Sequence, residues 1–304
     1  MKVWTNIMQS LLLAALFASS LVAPVPVAAA DFKAHSVLTS DGVRLSVREW
    51  GVPGQPTMVF VHGGGQSQLV WKKQVESGLA GKFRIVTYDL RGHGESDKPT
   101  DPAAYSSSAR WSDDLHAVIA SLQLDRPILV AWSAGSRVAM QYAMVKGTNG
   151  LGGLVFVDAS NGRFFAESIL RLLPAMTSNT LETNIAGTAG FIRSSFSGVP
   201  SAEDFEYLLG FNMVVPPYAR KGMGSWPLNI EQALGTVAAP TLFIHGGNDR
   251  IVKPEAATYH AGLVKGSTVS IYEKSGHMPF WEEAERFNAE LARFVESHWK
   301  GTAR

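Results

Sequence analysis

Residues 127–143 read PILVAWSAGSRVAMQYA, a short apolar run that passes into a helical pattern with Ser133 at the junction. Pro127 to Ala131 has the length and character of a buried parallel strand, and Val138, Ala139, Tyr142 and Ala143 recur at helical spacing behind it. A strand-to-helix turn this abrupt holds its serine in a strained conformation with Oγ projecting above the strand end, so its neighbours must be small. Ala131, Ala134 and Gly135 are small. The N-terminal N–H groups of the following helix point to where an oxyanion would form. Locally, an N-cap serine after an ordinary strand would read the same way, so the flanking sequence has to decide.

Outward from this stretch, strands alternate with helices. Upstream, Thr57 to Val61 is a continuous apolar strand that empties into His62-Gly63-Gly64-Gly65, where consecutive glycines imply exposed N–H groups in a nest rather than a flexible turn. A helix is expected over Val70 to Leu79, a strand over Arg84 to Tyr88 and a helix over Ala109 to Leu122. Ser36 to Leu38 and Val43 to Glu49, separated by Ser40-Asp41-Gly42, read as an edge hairpin. Downstream, Leu151 to Val157 is a buried strand ending in Asp158. Residues 159–238 lack strand periodicity but carry Phe165, Ile169 and Leu172, then Phe205, Leu208 and Leu209, at helical spacing, which predicts an inserted helical cap. Thr241 to His245 restarts the sheet and runs into Gly246-Gly247-Asn248-Asp249. A helix from Pro254 to Leu263, a strand from Ser267 to Tyr272, the loop Glu273-Lys274-Ser275-Gly276-His277 and a helix from Pro279 to Trp299 complete the chain. The pattern predicts an α/β fold with a mostly parallel eight-stranded sheet, helices on both faces, and binding loops at the carboxyl ends of the strands.

Met1 to Ala30 reads as a cleavable signal peptide: Lys2, the apolar run Leu11 to Val22, then Ala28-Ala29-Ala30 before Asp31. Ser19, Ser20, Pro24 and Pro26 and the lack of a basic flank argue against a membrane anchor, so a secreted or periplasmic domain over 31–304 is expected. The chain has 27 Lys and Arg against 26 Asp and Glu, and Lys2 is the only charge in the first thirty residues, so the remainder is formally neutral. That balance gives no reason to expect nucleic acid or an anionic membrane as partner, and oligomeric state is not legible. Without cysteine, thiol catalysis and thiolate metal sites are excluded. His93, alone between glycines, has no partner at metal-ligand spacing, and Asp113 and Asp114 are expected to face solvent or support a loop.

Ser133, Asp249 and His277 therefore end predicted strands in the order Ser…Asp…His, the residue types in which an imidazole activates a hydroxyl and a carboxylate orients the imidazole. With His62-Gly63-Gly64, the segment Asp89 to Ser96, the Ser133 elbow, Gly247-Asn248-Asp249 and Gly276-His277, the chain resembles the α/β-hydrolase family across 31–304. The resemblance implies Ser133 as nucleophile, His277 as general base, Asp249 as acid, and an oxyanion hole from the N–H groups of Ala134 and Gly64, with Gly65 as the other candidate donor. Asp158 is the alternative acid, and Ala131 departs from the usual glycine of the elbow. Serine at the elbow argues against dehalogenase and epoxide hydrolase chemistry. The implied activity is hydrolysis of a small or medium apolar ester or lactone through an acyl-enzyme, without metal or cofactor, as in the cofactorless haloperoxidase and esterase branch. Perhydrolysis, amide or carbon–carbon bond hydrolysis, and a non-catalytic ligand-binding role remain alternatives. Trp71, Trp132, Phe164, Phe211, Tyr218 and Phe280 are the aromatics expected to line the substrate pocket.

Overall fold

Eight strands, β1 (Lys33–Leu38), β2 (Arg44–Trp50), β3 (Thr57–Val61), β4 (Arg84–Tyr88), β5 (Ile128–Trp132), β6 (Gly153–Val157), β7 (Thr241–Gly246) and β8 (Thr268–Tyr272), join in one sheet. Their order is β1-β2-β4-β3-β5-β6-β7-β8 in the computed structural model, which describes residues 31–159 and 162–300. The expected signal peptide, residues 1–30, lies outside those described. The β1–β2 hairpin and the β2–β4 pair are antiparallel, and every pair from β4 to β8 is parallel.

Strands β3 to β6 are buried along their whole length, which is why they read as unbroken apolar runs. Alternate side chains of each strand enter different cores. Val59, Val61, Leu129, Ala131 and Phe156 face one layer with Leu115, Val118, Val138 and Tyr142. Met58, Phe60, Ile128, Val130 and Val157 face the other with Trp71, Phe280, Phe287 and Leu291. The helices are α1 (Lys72–Val75), α2 (Ser108–Ser121), α3 (Ala134–Lys146), α4 (Glu167–Met176), α5 (Leu181–Ser194), α6 (Ala202–Met213), α7 (Pro217–Ser225), α8 (Ile230–Gly235), α9 (Glu255–Ala261), α10 (Pro279–Glu282) and α11 (Ala284–His298).

Three expectations change. The helix expected over Val70 to Leu79 is broken into a 3₁₀ turn, α1 and a second 3₁₀ turn, because the Ser67 and Ser77 side chains each cap a new start, accepting the N–H of Leu69 and Leu79. The last helix divides at Glu283, whose carboxylate accepts the Ser275 hydroxyl in the histidine loop. Five helices lie between β6 and β7, but α8 belongs to the sheet layer: Ile230, Ala233 and Leu234 pack in the same core as Val138. The part of the insertion that covers the strand ends is thus α4 to α7.

Candidate active site

Ser133 occupies φ 51°, ψ −121°, a left-handed conformation costly for a residue with a side chain. The strain is held by neighbouring bonds: Ser133 N–H donates to Val157 O at 2.9 Å, and the Ser136 hydroxyl donates to Ala131 O at 2.8 Å. Gly135 lets α3 lie against β3, since a Cβ there would fall 2.5 Å from His62 O. Ala131, fully buried, accommodates its methyl group beneath the turn.

His277 Nε2 lies 2.8 Å from Ser133 Oγ, and His277 Nδ1 lies 2.7 Å from Asp249 Oδ2. A carboxylate at Nδ1 accepts its proton, which leaves the Nε2 lone pair toward the serine. The other Asp249 oxygen accepts the N–H of Ile251 at 2.7 Å and of Val252 at 3.0 Å. The histidine loop is fixed from three sides. His277 N–H donates to Ser195 O at the end of α5, the Trp132 indole N–H donates to His277 O, and Gly276 N–H donates to Glu282 of α10.

Asp158 does not reach His277. At φ 44° it turns one oxygen to the Gly246 N–H at 2.8 Å, and its other oxygen has no partner. Between the two aspartates sits buried His245, its Nε2 3.7 Å from Asp158, 3.2 Å from Asp249 and 3.0 Å from Val252 O, to which it donates. Burial raises the Asp158 pKa to about 7 despite His245. Burial also opposes charge on His245, but the two carboxylates prevail and raise its pKa to about 9. For Asp249 the burial penalty is outweighed by His277 and His245, which hold its pKa below the usual carboxylate range. Asp158, His245 and Asp249 place possible ligand atoms within 4.8 Å of one another. Asp249 and the His245 Nε2 are already engaged by His277 and Val252, so a cation there would have to displace the bond that orients His277.

The glycine loop is organised by two buried histidines. His62 Nε2 accepts the Leu90 N–H at 3.0 Å, and His93 Nε2 accepts the Gly65 N–H at 3.2 Å. Burial lowers the pKa of both, which keeps a lone pair for these roles. Gly65, at φ 74°, turns the chain so that its N–H goes to His93, leaving Gly64 beside Ala134. Arg91 anchors the following segment through Asp114 at 2.6 and 2.7 Å and Asp41 at 2.9 and 3.0 Å. Asp114 thus supports a loop, while half-exposed Asp113 meets Lys146.

A cavity of about 190 Å³ opens over Ser133, Ala134, Gly64 and Gly65. Its walls are Ile169, Leu173 and Met176 of α4, Phe191 of α5, Met223 of α7, Arg137 of α3 and Arg220 of α7. None of the six expected aromatics lines it. Trp71, Trp132 and Phe280 pack on one another in edge-on and tilted contacts, with ring centroids 4.6 to 6.4 Å apart, in the core beneath. Phe164 packs on Tyr259 and His260, Phe211 on Tyr207, and Tyr218 on Tyr105 with its hydroxyl donating to Lys98 O. Each satisfies packing of the cap or the sheet, leaving the cavity to Phe165, Phe191 and smaller aliphatic side chains.

The sequence profile of the alpha/beta hydrolase family matches residues 58–290. The chain belongs to that family. It is 27% identical over 278 residues to the AB hydrolase superfamily protein YisY of Bacillus subtilis, spanning 86% of this chain and 99% of that one. It is also 27% identical over 284 residues to the bifunctional esterase/perhydrolase DCH of Acinetobacter calcoaceticus, again over 86% and 99%. A putative aryl esterase from Burkholderia cenocepacia superposes with a TM-score of 0.83 at 33% identity, covering 88% of this chain and 99% of the other. The protein is therefore a hydrolase of the α/β type.

Proposed function

We propose that the protein is a serine esterase or lactonase acting on small to medium acyl groups through an acyl-enzyme. The observation that carries this reading is the continuous chain Ser133 Oγ, His277 Nε2, His277 Nδ1, Asp249 Oδ2, with gaps of 2.8 and 2.7 Å. In the first half-reaction Ser133 Oγ attacks the carbonyl carbon while His277 Nε2 takes the hydroxyl proton. The oxyanion is received by the N–H groups of Ala134, at the start of α3, and of Gly64. Collapse breaks the bond to the leaving oxygen, to which His277 returns the proton. Water, deprotonated by His277, then attacks the acyl-serine, the bond to Ser133 Oγ breaks as His277 returns the proton to it, and the acid is released. Hydrogen peroxide in place of water would give a peracid, a second reading favoured by the relative named an esterase/perhydrolase.

A fluorophosphonate probe followed by peptide mass spectrometry tests the reading: one adduct on Ser133, with ester hydrolysis abolished in Ser133→Ala, is expected. An active enzyme left unlabelled refutes it. We further propose, from Lys2, the Leu11 to Val22 run and Ala28 to Ala30, that the chain is exported and begins at Asp31 after cleavage. N-terminal sequencing of the exported protein checks this, and a retained Met1 refutes it.

A further inference from the structure

The cavity over Ser133 is walled by aliphatic and aromatic groups, and among the described residues its charged lining is two arginines. Neither is neutralised by an acidic side chain among the described residues. Arg220, 8% exposed, gives its Nε to Val215 O and its Nη2 to Asn212 O, while its Nη1 has no partner. That Nη1 lies 3.0 Å from where a Cβ on Gly65 would sit, so the guanidinium abuts the glycine loop. Arg137 stands one helical turn beyond Ser133. It lies over the Trp226 ring at 4.5 Å and donates Nη2 to Trp226 O, and its buried Nε is likewise unpartnered. The remaining bonds are to neutral carbonyls, which satisfy donors without cancelling charge.

Burial opposes charge on both arginines, lowering the Arg220 pKa to about 10 and that of Arg137 below its ordinary value. Two cations kept in an apolar wall, each with an orphaned donor, are costly unless something compensates them. A neutral alkyl ester would leave them uncompensated. An acyl group ending in a carboxylate would repay the desolvation and supply acceptors.

We infer that the cavity selects an ester or lactone carrying a second acidic group, a carboxylate on the acyl side that Arg137 and Arg220 receive while Ser133 attacks the carbonyl. This rests on the serine hydrolase reading and narrows it. A volume of about 190 Å³ suits a short diacid half-ester: a cavity of about 150 Å³ already holds a benzene ring.

The test compares kcat/KM for mono-4-nitrophenyl glutarate with that for 4-nitrophenyl pentanoate in the full-length protein, Arg137→Gln, Arg137→Lys and Arg220→Gln. Because Arg220 also ties the end of α6, the Arg137 pair keeps the test decisive if Arg220→Gln does not fold. The expected wild-type ratio of anionic to neutral ester is about 1 or higher, falling by about 30-fold in Arg137→Gln, as for loss of one partner of a buried charge pair. Arg137→Lys should keep more of the ratio than Arg137→Gln. A wild-type ratio below 1, or a ratio that no variant moves, overturns the inference while fluorophosphonate labelling of Ser133 leaves the hydrolase reading standing. Failure of both esters together with an unlabelled Ser133 overturns both.

Discussion

Replacing Asp249 by asparagine changes one oxygen for an NH₂ group, and the surrounding bonds dictate which. Two backbone donors, Ile251 N–H and Val252 N–H, converge on Oδ1, so the amide oxygen must stay there. The NH₂ then occupies the Oδ2 position, 2.7 Å from His277 Nδ1, where it can only donate. His277 is driven to carry its proton on Nε2, facing Ser133 Oγ at 2.8 Å, and the serine loses its base without any loss of packing. The wrong-tautomer effect in this arrangement is worth about 10⁴ in turnover, or about 5.5 kcal/mol of transition-state stabilisation. Steady-state kcat on 4-nitrophenyl acetate measures it, with thermal melting run alongside to establish that Asp249→Asn is folded. A loss of less than about tenfold in a folded variant, or a larger loss in Asp158→Asn, would refute the reasoning.

Asp158→Asn should lower kcat by less than about tenfold, because Asp158 does not touch His277, and should also change the pH dependence of stability. The folded pKa of about 7 lies above the ordinary 3.8, so Asp158's contribution is fully present below about pH 4 and is lost as pH rises through 7. Melting temperature measured from pH 4 to 8 should therefore decline less steeply in the variant, and an unchanged slope would contradict the assignment. Arg91→Met strands Asp114, which is fully buried, and should cost about 3–5 kcal/mol by urea denaturation. Phe191→Ala enlarges the cavity and should raise kcat/KM for long relative to short acyl esters by roughly 10- to 200-fold. Phe164→Ala, Phe211→Ala and Tyr218→Ala should leave that ratio unmoved.

The placement of the candidate residues was legible in the sequence because β5 and β7 are buried and show as apolar runs before Ser133 and Asp249, while β8, which is only partly buried, is followed by the His277 loop, and the parallel register brings the three loops together. Ser133 and His277 needed their order, their strands and the motifs that resemble the α/β-hydrolase family. The choice between Asp249 and Asp158 needed coordinates, since both end strands of the same sheet and only the loop after β7 directs a carboxylate to His277. The pocket was not legible for a different reason. An apolar side chain in a cap helix has the same periodicity whether it faces a cavity or a core, so Phe211 and Phe191 read alike until the packing is known. Arg137 was within reach, one helical turn after Ser133 on the same helix, and His245 likewise stands four residues before Asp249. Arg220 was not, because its place beside Gly65 depends on how α6 and α7 close over the glycine loop.

The bond from His277 N–H to Ser195 O makes the cap a structural partner of the base rather than a removable cover. Next to it, Ser197 gives both its N–H and its hydroxyl to Glu282, the same carboxylate group that holds Gly276. A chimaera that exchanged α4 to α7 for the corresponding segment of a relative would import a new cavity. It would also replace the segment against which the imidazole is aligned. The workable graft boundary on the C-terminal side of α5 therefore lies before Ser195, so that a transplant confined to α4 and α5 can alter selectivity while Ser195 to Ser197 stay in place against His277 and Glu282.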